Sequence, residues 1–535
     1  MKPSTHVADA MEATVNRRSA ITAAFVMALV AGGCASLRPD APRLPSYAFS
    51  HPERTTLGRV FAAQAAEHPG LSGFQVMATG HSAFAARVAL ADAAERTLDL
   101  QYYSADDDLS TDLLLLRLRA AAERGVRVRI LLDDVYAPSR RFAWRAMALH
   151  PDIQVRLFNP FFFGGTTSLG RLAEYVFDSE RLNRRMHNKL WVTDNAAAIV
   201  GSRNLGDEYF DVHQSANFAD VDLLVAGTIV NQLSQAFDAY WNSAAVVPAQ
   251  AFLPASEGLD AASMLQYLRA RATACDSVPP CAWLTEQGML AALHAGAVSL
   301  AWASAQFVYD PPDQDKRLLP SGIEHGSIVD HPDGSRTRSE LLILSPYFIP
   351  SAEGRRHLGE MRERGVRVAV LTNSLASTDS PAAHSGYARH RVALLRGGVE
   401  LYEVRPIPGA KHRLSHRWGE ASPSSLHAKL IVQDRRRAIV GSLNQDPRSR
   451  LHNTEAWIAV DSGELAADLA ALFEAAVNAH HAFKVELDEA DGADRLVWST
   501  EEGAEIVRYD VEPVAGPWLR LWRDILGVLV PEHML

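Results

Sequence analysis

Cysteine is nearly absent. Three occur in 535 residues, too few for a scaffold that replaces a core with disulfides, and no Cys/His cluster has the spacing of a zinc site. An excess of positive charge is missing as well: 53 Lys and Arg stand against 63 Asp and Glu, a net charge of −10. That balance argues against bulk nucleic-acid binding, which favours a strongly basic face, although it leaves room for a basic pocket. The N-terminus lacks a full membrane span, because its apolar run from Ala20 to Ala31 is too short to cross a bilayer comfortably. What is present is an apolar fraction of 47%. That is enough to fill the cores of two or three domains and to exclude a disordered chain.

The chain is organised around a stretch that occurs twice, HNKLWVTDNAAAIVGSRN from His187 to Asn204 and HAKLIVQDRRRAIVGSLN from His427 to Asn444. Each copy reads His, one residue, Lys, four residues, Asp, six residues, Gly-Ser-x-Asn. Every matched position lies 240 residues from its twin, as 187 and 427 or 204 and 444 show. Leu190-Trp191-Val192 and Ala198-Ile199-Val200, with their second-copy equivalents, are short β-prone runs. Residues two apart on a strand share a face, so His187 and Lys189 point the same way, as do His427 and Lys429. Asp194 and Asp434 fall in the turns between paired strands. Ser202, Asn204, Ser442 and Asn444 end the second strands, where their hydroxyl and amide groups can aim back at the ammonium groups. Two such units facing each other form a symmetric pocket that suits a phosphoryl group.

More than the motif is duplicated. Glu123-Arg-Gly-Val-Arg-Val128 returns as Glu363-Arg-Gly-Val-Arg-Val368, again 240 residues on. In the first half the pattern predicts a helix over 82–96, a strand over 97–103, a helix over 111–124 stopped by Gly125, and a strand over 126–132 ending in Asp133-Asp134. In the second half a strand at 341–344, a helix running to Arg364 and a strand at 366–371 repeat it. This succession argues α/β architecture with a mixed sheet flanked by helices in each half.

The paired motifs resemble the phospholipase D superfamily, and through GSRNLGDEYF and GSLNQDPRSRLHNTE the bacterial cardiolipin synthases, particularly the C-type group. The resemblance covers the chain from about Ala78 onward. It implies two pseudo-symmetric phospholipase D-like domains packed about a twofold axis, with the active site at the join. It also implies His187 as nucleophile and His427 as general acid, the N-terminal histidine of such pairs being the usual attacker, although symmetry leaves the reverse open. Lys189 and Lys429 then neutralise the phosphoryl oxygens, and the Ser and Asn residues position those oxygens or the lysines. Asp194 and Asp434 belong to the motif and read as holding its hairpin. A nucleophilic histidine needs an acceptor on its other ring nitrogen. The family places a carboxylate downstream of each motif, which points to Asp222, or alternatively Asp220, and to Glu455. No metal or other cofactor is expected, since each motif histidine has a lysine beside it.

Flanking features complete the reading. Arg17-Arg18, the apolar run and Gly32-Gly33-Cys34 read as a signal peptide ending at a lipidated Cys34, with an uncleaved anchor as the alternative. The predicted organisation is 1–34 signal, 35–50 tether, 51–247 first domain, 248–334 connector or insertion, 335–510 second domain and 511–535 an amphipathic C-terminal helix. On that helix Trp518, Leu521, Trp522, Ile525 and Leu529 share a face that suits a bilayer interface. Arg184-Arg185, Lys411-His-Arg413 and His416-Arg417 are candidates for a second lipid-phosphate site, Tyr102, Tyr103, Tyr347 and Phe348 for the pocket wall, and Phe161 to Gly165 for a lipid-contacting loop. Cys275 and Cys281 either form a local disulfide or remain thiols. The expected activity is phosphatidyl transfer that makes cardiolipin at a membrane surface facing the bacterial periplasm. Its partners are membrane phospholipids, phosphatidylglycerol and a donor such as phosphatidylethanolamine. Hydrolysis to phosphatidic acid, nuclease action and a non-enzymatic lipid-binding role are the alternatives.

Overall fold

The computed structural model describes residues 43–135, 143–144, 147–162, 168–213, 217–252, 261–273, 288–313, 337–406, 425–488, 494–503 and 505–535. The repeated Glu-Arg-Gly-Val-Arg-Val stretch performs the same local task twice. Helix Leu109–Glu123 starts at Asp108, whose side chain accepts from Thr111 N–H. Helix Ala352–Glu363 starts at Ser351, which accepts from Gly354 N–H. Each helix is followed by a glycine in the left-handed region, Gly125 at φ 89° and Gly365 at φ 84°. The chain reverses there without a Cβ clash and enters strand Arg127–Asp133 or Arg367–Asn373.

Each half builds a mixed sheet around three parallel strands. In the first half these are Thr97–Tyr102, Arg127–Asp133 and Ile153–Phe158. Beside Thr97–Tyr102 run, antiparallel, the motif hairpin Leu190–Thr193 and Ala197–Gly201, then Asp222–Gly227 and Ser72–Met77. In the second half Glu340–Leu344, Arg367–Asn373 and Glu400–Val404 are parallel. Leu430–Gln433, Arg437–Gly441 and Ala456–Asp461 continue antiparallel. The α/β class and the two pseudo-symmetric units thus stand as expected from the sequence.

One apolar core belongs to both halves. It joins Val192, Leu223 and Phe237 to Leu342, Val432 and Phe473, with helices Ile229–Trp241 and Gly463–Ala476 contributing from either side. The segment expected as a connector adds helices Ala261–Thr273 and Gly288–Ala295 and strand Ala301–Tyr309. That strand does more than connect. Its start pairs with Ser72–Phe74 of the first sheet and its remainder with Ala456–Asp461 of the second, so it bridges the two.

The expected tether also needs correcting at its C-terminal end. Backbone groups at 44–48 are held by Arg156, Asn242, Arg129, Arg127 and Asp238, which straps this stretch to the first half. Cys34, the apolar run before it, Cys275 and Cys281 lie outside the described residues. Among the described residues no helix is long and apolar enough to cross a membrane.

Candidate active site

Each motif folds as a hairpin whose tip is tied down by its aspartate. Asp194 and Asn195 have φ of 55° and 53°, Asp434 and Arg435 of 53° and 50°, a region that Asp and Asn tolerate better than most residues. The Asp194 carboxylate accepts the N–H groups of Glu95, Arg96 and Thr97 at 2.7–2.9 Å. Asp434 accepts those of Arg338, Ser339 and Glu340 at 2.7–3.1 Å. Both therefore clamp the start of the neighbouring strand, at the end of the hairpin remote from the histidine. Both carboxylates bind backbone N–H groups, and neither contacts a motif histidine.

At the other end of the hairpins the halves exchange partners. Nδ1 of His187 lies 2.9 Å from Glu455, and Nδ1 of His427 lies 2.7 Å from Asp220. Each imidazole is thus oriented by a carboxylate from the opposite half. The backbone enforces this exchange: His187 N–H donates to Thr454 O, Thr454 N–H to Arg185 O, and His427 N–H to Ala219 O. Ser425–Leu426 pairs in parallel with Phe218–Ala219. Asp310, at the end of the bridging strand, accepts Glu455 N–H at 2.8 Å.

Asp222 does not touch a histidine. It is fully buried against Arg87 at 2.9 Å and Arg203 at 3.5 Å and accepts Ser202 N–H. Strand register explains the difference. Gly201 faces Asp222 and Gly441 faces Trp457, so the residue two positions before each, Asp220 or Glu455, occupies the equivalent place. A Cβ on Gly441 would strike the Ala456 carbonyl and one on Gly201 the Asp222 carboxylate, which accounts for glycine at both positions.

The supporting residues serve the carboxylates more than the lysines. Ser202 Oγ donates to Asp220 and Ser442 Oγ to Glu455. Asn204 is saturated by Ser104 N–H and the Tyr209 hydroxyl, whereas Asn444 Oδ1 is buried without a partner on the wall of the cavity described below. Two further positioning residues escaped the sequence reading. Asp133 accepts Met186 N–H at 2.9 Å, and Asn373 accepts Leu426 N–H at 2.8 Å while donating to Leu426 O at 2.9 Å. Each fixes the residue immediately before a motif histidine. Their 240-residue spacing was the available signal.

The two imidazoles open on one cavity of about 570 Å³. Burial, then the Lys189 and Lys429 ammonium groups, holds His187 well below the usual imidazole range. Burial and Lys429 bring His427 down to about 4 against the pull of Asp220. Burial also lowers Lys429 to about 8 and, with Lys429 beside it, takes Lys189 well below the lysine range. The desolvation that would raise Asp220 is outweighed by His427, Arg203 and Lys429, so its carboxylate stays ionised. Lys189 and Lys429 stand behind the imidazoles, while the cavity wall itself carries Arg448 together with Asp106, Glu208, Asp379 and Asp446. Lys429 Nζ lies 2.9 Å from Nε2 of His427. Among the described residues no side chain hydrogen-bonds Nε2 of His187, although the Ser442 backbone also bonds this imidazole.

The family model described as "Cardiolipin synthase, PLD-like domain" matches residues 88–241 and 335–477. Cardiolipin synthase C of Escherichia coli K12 is 36% identical over 480 residues, covering 88% of this chain and 97% of that protein. The chain belongs to the cardiolipin synthase, PLD-like family. An uncharacterised protein of Helicobacter pylori 26695 is 28% identical over 527 residues, 96% of this chain and 99% of that one. Phosphatidylserine synthase of Haemophilus influenzae Rd KW20 shares the fold, with a TM-score of 0.54, 12% identity, and coverage of 89% of this chain and all of that one.

In this member of the family, two of the four expected wall aromatics reach the cavity. Tyr103, edge-on to His187 with centroids 5.0 Å apart, and Tyr347 line it. Tyr102 is buried against Arg87 and Phe348 lies in the outer core of the second half. Tyr209 and Phe218, not foreseen, flank His427 at 5.2 and 5.3 Å. The rim arginines are not at a rim: Arg185 is buried and pairs with Asp133, and Arg184 donates to Pro312 O. Phe161 is buried under the Arg171 and Arg185 guanidinium groups, so it is no lipid contact. Phe163 to Gly165, Lys411 to Arg413, His416 and Arg417 lie outside the described residues.

Proposed function

We propose that the protein is a phosphatidyltransferase that forms cardiolipin from phosphatidylglycerol and a donor phospholipid through a phosphohistidine intermediate. The observation that carries this reading is the pair of histidines on one cavity, each with its Nδ1 proton directed at a carboxylate, flanked by two lysines. Nε2 of His187 attacks phosphorus; the P–O bond to the donor headgroup breaks. The bound phosphodiester anion favours an imidazolium at His427, whose Nε2 proton passes to the departing alkoxide and leaves the ring neutral. The neutral His427 then takes the proton of a phosphatidylglycerol hydroxyl, whose oxygen displaces His187. Lys189, Lys429 and the amide of Asn444 stabilise the charge on the phosphoryl oxygens, which grows in the transition state.

The test is incubation of the protein with phosphatidylglycerol, alone and with phosphatidylethanolamine. Cardiolipin from wild type but not from His187→Ala, with a phosphoryl adduct on His187 after rapid quench, supports the reading. Phosphatidic acid alone would show a hydrolase that shares the covalent step. Cleaved DNA with untouched lipid would overturn both. On the same proposal the enzyme works at a membrane surface on the periplasmic side, tethered by a lipidated Cys34. A Cys34→Ser variant that remains membrane-bound with an unchanged N-terminal mass removes that tether from the account.

A further inference from the structure

Helix Pro517–Leu529 is built the opposite way round from a helix that packs on a core. None of its residues is buried. Trp518 is 82% exposed and Val528 87%, and Leu521, Trp522, Ile525 and Leu529 are exposed with them. The side turned to the protein carries Arg523 among the less exposed Leu519, Leu526 and Gly527. Arg523 donates to Glu512 at 2.5 Å, and Glu512 also holds Arg391 at 2.7 Å and His384 at 3.0 Å. Arg389 donates to the carbonyl of Gly527. These contacts fix the rotation of the helix about its axis, so the outward apolar stripe is a built surface. A contiguous apolar stripe of this kind marks an interaction site.

Three features select its occupant. The chain leaving the helix reaches the catalytic cavity, where Val530, Met534 and Leu535 form part of the wall beside His187. The stripe is therefore continuous with the place where a substrate must enter. A second helix, Ser168–Phe177, leaves Leu172, Val176 and Phe177 exposed, and the stretch after it meets the same C-terminal segment, Asn183 Nδ2 lying 3.7 Å from Met534 Sδ. Two tryptophans with Arg520 beside them suit the boundary between headgroups and acyl chains.

We infer that helix Pro517–Leu529 lies in the surface of a phospholipid bilayer, its Trp518, Leu521, Trp522, Ile525, Val528 and Leu529 side chains among the acyl chains. In that position it sets the mouth of the catalytic cavity against the lipid. The substrate class rests on the function proposed above; the docking surface rests on the exposed stripe. A lipid then passes from the leaflet along the Val530–Met534–Leu535 wall to the histidines without its acyl chains crossing water.

The experiment uses the full chain on vesicles of phosphatidylethanolamine and phosphatidylglycerol carrying mid-chain bromine, a contact quencher of indole fluorescence. Wild type should show a quenched component that disappears in Trp518→Phe/Trp522→Phe. In Trp518→Ser/Trp522→Ser, turnover of vesicle-borne phosphatidylglycerol should fall at least tenfold relative to turnover of a short-chain phosphatidylglycerol kept below its micelle concentration. Vesicle-bound protein in which Trp518 and Trp522 stay unquenched overturns the inference, as does an equal loss on both substrates. Protection of residues 517–529 from hydrogen exchange without lipid assigns the stripe to a second copy or to the N-terminal segment, and also overturns it. Wild type inactive on both lipids would defeat the proposed function, while the quenching measurement would still decide the docking.

Discussion

His187 and His427 hold equivalent places in the two halves, yet their Nε2 atoms meet different surroundings. Both lysines donate to the backbone carbonyl of their own histidine, and Lys429 also sits 2.9 Å from the His427 ring nitrogen. The neighbours differ too. Gly206 follows Asn204 by two residues, but the matching position after Asn444 is Asp446, whose carboxyl lines the cavity and is pushed by burial up to about 7. A duplicated backbone thus carries two chemically distinct imidazoles. Sequence symmetry gives the pair, and the side chains around it make its two members unequal.

The strongest way to break that comparison is to remove each histidine in turn. His187→Ala should abolish release of any headgroup, since no covalent adduct can form. His427→Ala should lose about 10²–10⁴-fold on a natural lipid but recover most of it on a p-nitrophenyl phosphodiester, whose leaving group needs no proton. Equal rescue of both variants would show that the two imidazoles are interchangeable.

Glu455→Gln and Asp220→Asn test the exchange of carboxylates. Each should lower turnover by roughly 10²–10⁴-fold, as loss of the orienting acid does in a catalytic triad. Glu455→Gln should impair adduct formation on His187 in a rapid-quench measurement, and Asp220→Asn should impair leaving-group protonation and so be the one rescued by p-nitrophenol. Asp222→Asn should act instead on folding. Leaving Arg87 buried without its charge partner should cost about 3–5 kcal/mol in urea unfolding.

Acid provides a smaller test. Between about pH 6.5 and 4 the unfolded chain protonates the His427 imidazole and the folded chain does not. Stability should therefore decline as pH falls through that window, and His427→Gln should flatten the decline in thermal melts. The least effect is expected at the hairpin tips. Asp194→Ala, which strands one buried and two part-buried N–H groups, should cost about 1–3 kcal/mol, and Asp434→Ala less, because Arg338 and Ser339 are close to solvent. A larger loss at Asp434 would mean that the second hairpin depends on its clamp more than the first.

Periodicity and the 240-residue repeat were enough to recover both motif hairpins and the strand-helix-strand succession, while Glu455 came from the family resemblance. They could not show which half each carboxylate serves, because that depends on how two sheets meet across a shared core. Asp220 and Asp222 share a strand parity, so alternation alone does not separate them; the register opposite Gly201 does. Ser202 and Ser442 were legible as polar supports but not in their target, since each hydroxyl reaches a carboxylate that only the pairing with the next strand brings beside it. Arg184 and Arg185 read as a basic pair, yet their surroundings come from Asp133 and Pro312, which no local pattern brings near.

The exchanged carboxylates bear on the ancestry of this architecture. A solitary half would present a histidine with no acid to orient it, and an acid with no histidine. Any single-copy forebear with this arrangement must have worked as a pair of identical chains, and fusion of the two genes freed each copy to drift toward its own task. Severed between its halves and co-expressed, the present protein should regain activity only where both fragments meet.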